Sequence, residues 1–235
     1  ANLVWLKVDR FYHQGMTYRL LPLMKTCVAL DPNFVEAYQL GAWHLAYNAT
    51  AHMLDTPEPL KKWDPKYQAR IGEKERYYYI AADFLKDGIR KNPRDYRLYF
   101  DLGYAVYEEK LQDHAKAVKY LSEAIQHRHD RWVPRTLYRC LQYNGQYEEA
   151  LAGWQSYLEQ FPGHGGAIRF IQINKGLINE RNARAKEAKA KQAQADLDEM
   201  QERLTALKDR IAEADQAQAL EIEAQALEAE ILEKQ

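Results

Sequence analysis

The chain has 235 residues, 46% hydrophobic and 29% charged, with a mean hydropathy of -0.65 and a formal net charge of -1. That is enough apolar material for a packed core under a large wetted surface, and a charge balance that creates no global pull toward nucleic acid or an anionic membrane. Eleven glycines, eight prolines and no sustained Val/Ile/Thr alternation exclude a β sandwich or a βαβ sheet, no apolar run reaches the roughly 18 residues of a membrane span, and an all-α fold is expected.

The first stretch, ANLVWLKVDRFYHQG, is amphipathic from its first residue and opens without methionine, as expected of a continuation from an upstream leader, anchor or domain. A second apolar helix follows and ends in VALDP at 28–32, after which VEAYQLGAWHLAYN (35–48) predicts a third. The next helix, RYYYIAADFLKDGIRKNP (76–93), is reached only through an insertion at 49–75. Pro57, Pro59 and Pro65 predict an extended, stiff excursion there, with residues 66–75 leading into an elongated helix. A connection this long serves either to bind a partner or to pack as decoration on the convex face. Helical patterns resume with LYFDLGYAVY (98–107), a segment ending in AIQHRHD (124–130), and NGQYEEALAGWQSYLEQFP (144–162). The two cysteines, Cys27 and Cys140, are far apart in helical patterns and form neither a disulfide framework nor a CxxC metal site.

The helices come in pairs, and the pairs recur. VALDP, IRKNP (89–93), the proline-less AIQHRHD and LEQFP (158–162) each close an apolar helix preceded by a turn and another helix. Tyr99, Leu102, Gly103 and Val106, then Ala117, Leu121 and Ala124, mark one copy. Pro134, Leu137, Tyr138 and Leu141, then Gly145, Tyr147, Ala150, Trp154, Tyr157 and Pro162, mark the next, and Val4, Phe11, Gly15, Leu20, Met24, Cys27 and Pro32 mark the first. This resembles the tetratricopeptide repeat (TPR), an antiparallel helix pair of about 34 residues in which small residues let the helices approach, large ones fill between pairs and proline stops the second helix. Departures are Lys7-Val8 in place of Leu-Gly, Gly88 in place of alanine, and a long turn, EEKLQDHAK, in the third copy. The resemblance implies a TPR-type helical-hairpin solenoid of about four repeats over residues 1–180.

After GHGG, the helix GAIRFIQINKGLINE carries Ile168, Ile171, Ile173 and Ile178 as a cap at 165–180 for the open end of the stack. Residues 181–235 turn to Ala, Glu, Lys, Gln and Leu with no glycine, proline or aromatic, the composition of one long charged helix. Leu197, Met200, Leu204, Leu207 and Ile211 alternate steps of three and four as in a coiled-coil seam. The pattern slips by one around Asp215 to Ala219 and resumes at Leu220, Leu227 and Ile231, which implies a stammer or a local bend. Such a seam is expected to pair with a helical partner or to self-associate. The basic RNARAKEAKAK at 181–191 and the acidic excess beyond 196 would complement each other in antiparallel pairing. That basic stretch has no interleaved aromatics, and nucleic-acid binding is not expected.

No catalytic constellation emerges. His127, His129 and Asp130 lie in a turn without metal-ligand geometry, FPGHGG lacks the P-loop lysine, and no histidine is paired with a serine or cysteine in a nucleophile motif. No catalytic residue, metal or cofactor is expected. Carried over residue by residue, the family's groove falls on Trp5, Asp9 and Tyr12; Tyr38 and Leu45; Arg97, Phe100, Tyr104 and Tyr107; Trp132, Arg135, Arg139 and Tyr143; and Arg169. Aromatics with arginines suit a binding hot spot, and the arginines suit an acidic segment. The asparagines of the family's best-known peptide clamp are missing. The opening LVWLKVDRFYH, leading into LLPLMKTCVALDPNFVEAYQLGAWHLAYN, further resembles bacterial TPR proteins whose array follows an N-terminal membrane anchor. That implies a membrane-associated, extracytoplasmic array with a cytoplasmic location as the alternative, and any membrane contact only through a segment preceding Ala1. The function expected is a non-catalytic protein-interaction scaffold with an assembly tail, or alternatively a structural subunit that self-assembles through the tail.

Overall fold

Small residues at helix contacts and proline or glycine at helix ends build a chain of helical hairpins. In the computed structural model these are α1 (Asn2–His13) with α2 (Leu20–Leu30), α3 (Val35–Trp43) with α4 (Glu73–Lys91), α5 (Tyr96–Phe100) with α6 (His114–Ala124), and α7 (Val133–Tyr143) with α8 (Tyr147–Gln160), followed by α9 (Gly165–Glu233). The structure describes residues 1–233, except for the side chains of Thr17 and of positions scattered from 207 onward. It divides into two units, Ala1–Leu177 and Ile178–Gln235.

The core of the first unit alternates small and large side chains. Ala37, Ala81, Ala82, Ala117, Ala124 and Ala150 are fully buried, as are Leu20, Met24, Leu85, Leu98, Leu102 and Leu121, each large one worth roughly 1.5–3 kcal/mol over an exposed state. The π stretch Asp101–Glu108 that continues α5 comes close to α6 because of Gly103, where a Cβ would stand 3.1 Å from the Ala117 carbonyl oxygen. Gly88 has its own reason: a Cβ there would meet the Tyr38 ring at 2.8 Å, so the ring occupies the space that an alanine methyl takes in the family. Gly145 adopts φ +78, and the long third turn instead puts Gln112 at φ 51, a left-handed position filled without glycine. Asp95 and Asp113 cap α5 and α6, accepting from Arg97 and Lys116 backbone N–H groups at 3.0 Å.

The insertion departs from expectation. Residues 73–75 do elongate the helix, so that α4 begins at Glu73, but 66–72 do not lead into it: Lys62–Asp64 (β1) and Ala69–Ile71 (β2) form an antiparallel hairpin with Trp63 opposite Arg70. The Asp64 carboxylate accepts from the Lys66 N–H at 3.0 Å and pairs with Arg76 at 3.1 Å, Tyr67 stacks on Tyr79 at 4.5 Å, and Lys66 pairs with Asp83. These contacts fix the hairpin to α4.

The end of the array is covered by α9 through only part of the expected face. Ala167, Phe170, Ile171 and Asn174 turn inward, with Phe170 stacked on Trp154 at 4.7 Å, while Ile168 is exposed, Ile173 is half-buried and Ile178 belongs to the second unit. In that second unit the α9 backbone stays helical through Asp215–Ala219, and every described side chain from 181 onward is exposed. Leu197, Met200 and Leu204 are 48%, 66% and 52% exposed; the side chains of Leu207, Ile211, Leu220, Leu227 and Ile231 lie outside the described residues. Pairs such as Glu187–Lys191 and Glu199–Arg203 decorate the surface one turn apart. Among the described residues no helix is long and apolar enough to cross a membrane.

Candidate functional site

The first helices of the second and third hairpins both widen. Helix α3 runs on into a π turn at His44–Asn48, and α5 into a π stretch at Asp101–Glu108. The hydrogen bonds skip five residues, from Ala49 N–H to His44 O at 2.8 Å, Glu109 N–H to Tyr104 O at 3.0 Å, and Leu111 N–H to Val106 O at 3.0 Å. One extra residue per turn rotates the positions that follow by about 100° relative to an α-helix. Such turns concentrate at functional sites.

Between the two widened helices lies a cleft of about 490 Å³. Gln39, Leu40, Trp43 and Tyr47 form one wall; Phe100, Asp101, Tyr104 and Glu109 form the other, with Leu85 below. Trp43 is 49% exposed and stacks on Tyr47 at 3.9 Å. The Tyr47 hydroxyl donates to the Ala105 carbonyl at 2.9 Å, and Lys110 lies 3.6 Å from the Tyr47 ring centre, so that ring is fixed from several sides. Burial pushes the Tyr47 hydroxyl well above its ordinary range. Phe100 contacts Tyr104 at 5.5 Å and the edge of Trp132 at 4.9 Å, which carries the aromatic surface toward the fourth hairpin.

At the base of the cleft the Asp101 carboxylate accepts from Gln39 Nε2 at 2.7 Å. Burial pushes this carboxyl up to about 6, opposed by the Gln39 hydrogen bond and by Arg97. Arg97 itself is engaged: it donates to both oxygens of Asp95, at 2.9 and 2.7 Å, and to Glu36 at 2.9 Å, and it holds Asp95 below the usual carboxylate range.

The groove residues expected from sequence divide into four groups, with Arg97 set apart by its pairs to Asp95 and Glu36. Phe100, Tyr104 and Trp132 come together at the cleft and its margin. Arg135, Arg139, Tyr143 and Arg169 lie toward the last hairpin: Arg139 donates to the Tyr143 hydroxyl at 3.2 Å, Arg135 sits 5.9 Å from the Tyr157 ring centre, and among the described residues none of the three arginines pairs with a carboxylate. Trp5 packs on Phe34 at 6.0 Å and Tyr12 on His44 at 4.2 Å, in the first hairpin and its junction with the second. Asp9 pairs with His13 at 3.5 Å. Tyr38, Leu45 and Tyr107 are core residues, Tyr38 being 0% and Tyr107 2% exposed. Tyr38 and Leu45 are displaced by the true register of α3, which points Gln39 and Trp43 outward; Tyr107 is turned inward by the π stretch, which hands its place to Glu109. Gln39, Trp43, Tyr47, Asp101 and Glu109 were not anticipated. Trp43 and Tyr47 at i, i+4 were the available signal, obscured because VEAYQLGAWHLAYN is apolar on every side.

A second polar group is buried nearby. Glu108 receives His114 Nδ1 at 2.9 Å and neighbours Cys140, whose thiol is raised by burial and by Glu108. A thiol facing a carboxylate is held protonated, so this trio ties the third hairpin to the fourth rather than creating a nucleophile. Among the described residues no cluster of three or more His, Cys, Asp or Glu is placed to hold a metal ion.

No protein-family model matches the chain, and no curated protein matches it in sequence. Solved structures do. The crystal structure of MamA protein superposes with a TM-score of 0.51 over 79% of this chain and 86% of that one, at 15% identity. YrrB, described as a TPR protein with an unusual peptide-binding site, gives 0.47 over 74% and 75% at 20% identity. A thermophilic TPR protein of Thermus thermophilus gives 0.46 over 75% and 79% at 23% identity.

Proposed function

The chain has the tetratricopeptide-repeat fold, and from that premise we propose that it is a non-catalytic protein-interaction scaffold whose hairpin face binds a protein segment and whose C-terminal helix mediates assembly into a larger complex. The observation that carries this reading is the open aromatic cleft between α3 and α5, where Trp43, Phe100 and Tyr104 remain accessible around convergent polar groups. Arg135, Arg139 and Arg169, free of carboxylate partners among the described residues, suit an acidic stretch of the same segment. Arg97 does not contribute to that, being saturated by Asp95 and Glu36.

The tail supports the second half of the proposal. Leu197, Met200 and Leu204 form an exposed stripe with coiled-coil spacing, which a second helix would cover. The same stripe favours the alternative, a structural subunit that self-assembles into a homo-oligomer or filament through residues 181–235. The resemblance of its opening to bacterial membrane-anchored TPR proteins favours a membrane-associated, extracytoplasmic setting, with the cytoplasm as the alternative; fractionation of cells that express the protein separates the two.

Light scattering of residues 1–235 and 1–180, combined with capture by each, tests both readings. A scaffold retains its partner in the shorter form. A structural subunit loses its assembly and drops to monomer. Any turnover abolished by one substitution in the cleft would overturn the non-catalytic reading.

A further inference from the structure

The Asp101 carboxylate has an incomplete set of partners. Gln39 donates to Oδ2, and among the described residues nothing donates to Oδ1, in a half-buried carboxylate that lines the cleft. The cation that acts on it is committed elsewhere, since Arg97 is clamped by Asp95 and Glu36, and the cleft-side Lys110 lies on the Tyr47 ring. The same cleft is lined by the rings of Trp43, Phe100 and Tyr104 and by Glu109.

We infer that this cleft is the seat of a cationic side chain, a lysine or arginine of the bound segment, with its aliphatic stem between the aromatic walls and its charged head against Asp101. The inference rests on the proposed groove function and gives that site a specificity. A long cationic side chain satisfies both halves of the cleft, because the stem is apolar, the head is attracted to ring faces, and the carboxylate completes its hydrogen bonds. A leucine would fill the walls and leave Oδ1 dry and unpaired, and an acidic residue would face two carboxylates. The segment therefore presents its cation at the second and third hairpins and its acids at the fourth.

Charge linkage adds a second signature. The groups facing Asp101 are Gln39 and Tyr47 from the α3 side, Arg97 and Asp95 at the start of α5, and Tyr104 and Glu109 beyond; Leu85 of α4 is apolar. With the Asp101 carboxyl raised to about 6 in the free protein, a bound cation draws it down, so cation affinity rises as pH increases through that value.

The test titrates n-hexylammonium, hexanol and hexanoate into residues 1–235, following the Trp43 indole N–H by NMR, its signal assigned with Trp43→Phe. At pH 7.5 hexylammonium is expected to shift that signal saturably and at least tenfold more tightly than hexanol, with hexanoate silent, and to weaken at least fivefold at pH 5. Asp101→Asn keeps the Gln39 contact and should abolish the preference for the amine while hexanol still binds; Glu109→Gln should retain most of the preference. Equal binding of the three probes, absence of a shift with hexylammonium, or an unchanged preference in Asp101→Asn overturns the inference. A set of random-sequence peptides distinguishes that failure from failure of the groove: neutral or acidic peptides that move the Trp43 signal leave the groove intact and remove only its cation specificity.

Discussion

The array and the tail are both helical, yet they bury different things. In residues 1–177 the apolar positions of the core are enclosed by neighbouring helices of the same chain, with Leu102 and Leu121 fully buried and Trp154 nearly so. In residues 178–233 the apolar stripe carried by Leu197, Met200 and Leu204 is open, and the helix relies on propensity and one-turn charge pairs. A repeat unit supplies its own second layer, whereas a heptad stripe requires it from elsewhere. On the proposed reading of the tail, the stability of the first is a property of one chain and that of the second a property of concentration and company.

The largest test of that contrast is a core deletion in the array. Leu102→Ala removes a fully buried side chain between α5 and α6 and is expected to cost about 2–5 kcal/mol in urea unfolding. A loss below about 1 kcal/mol would mean that the hairpins are loosely packed and that the contrast with the tail is one of degree. Gly88→Ala is a finer probe of the same packing. The added methyl must displace the Tyr38 ring, 2.8 Å away, and Tyr38 is itself fully enclosed, so a cost of about 1–3 kcal/mol is expected despite the better helix propensity of alanine. A gain in stability would show that Tyr38 moves freely.

What was legible in the sequence follows the same division. Gly145, Ala150, Trp154 and Pro162 gave the repeat because each acts through local sterics: a left-handed turn, a close contact, a filler, a stop. The π stretches carried no such mark. An inserted helical residue costs little in pattern and redirects a whole face, which is why Tyr107 was expected outside and Glu109 was overlooked. The β hairpin was hidden for a related reason: its turn uses Pro65 and Gln68 at φ 50 with an Asp64 side-chain bond, in place of the glycine or asparagine that usually announces one. Asp101 was invisible as a site residue because its character comes from burial between helices, opposed by a hydrogen bond from Gln39, which lies 62 residues away in sequence.

Within the array, Asp101 is the one cleft carboxyl whose burial opposes its charge, and its effect on stability has a definite sign. Its folded-state value, about 6, lies above the ordinary 3.8, so between the two the folded protein holds a proton that the unfolded chain has lost. Its contribution therefore makes the protein less stable as pH rises from about 4 to about 6 and constant above. Discounted for its opening to the cleft, the effect is about 1–2 kcal/mol. Asp101→Asn should flatten that part of the stability profile and leave the variant more stable than the parent at pH 7. A parallel profile in the two proteins would mean that water reaches the carboxylate freely and that the base of the cleft is polar.

The smallest expected effect is the most informative about the tail, because its sign depends on company. In a solitary, exposed helix Leu204→Ala replaces one good helix former with a better one, and the helical signal in circular dichroism should rise slightly, by a few tenths of a kcal/mol in local stability. In a seam the same change opens a cavity against the partner helix and lowers both the helical signal and the association constant. Measuring Leu204→Ala across a dilution series therefore separates the cases without knowledge of the partner. A gain at every concentration describes a helix waiting for another protein, whereas a gain when dilute that becomes a loss when concentrated describes a chain that pairs with its own copies.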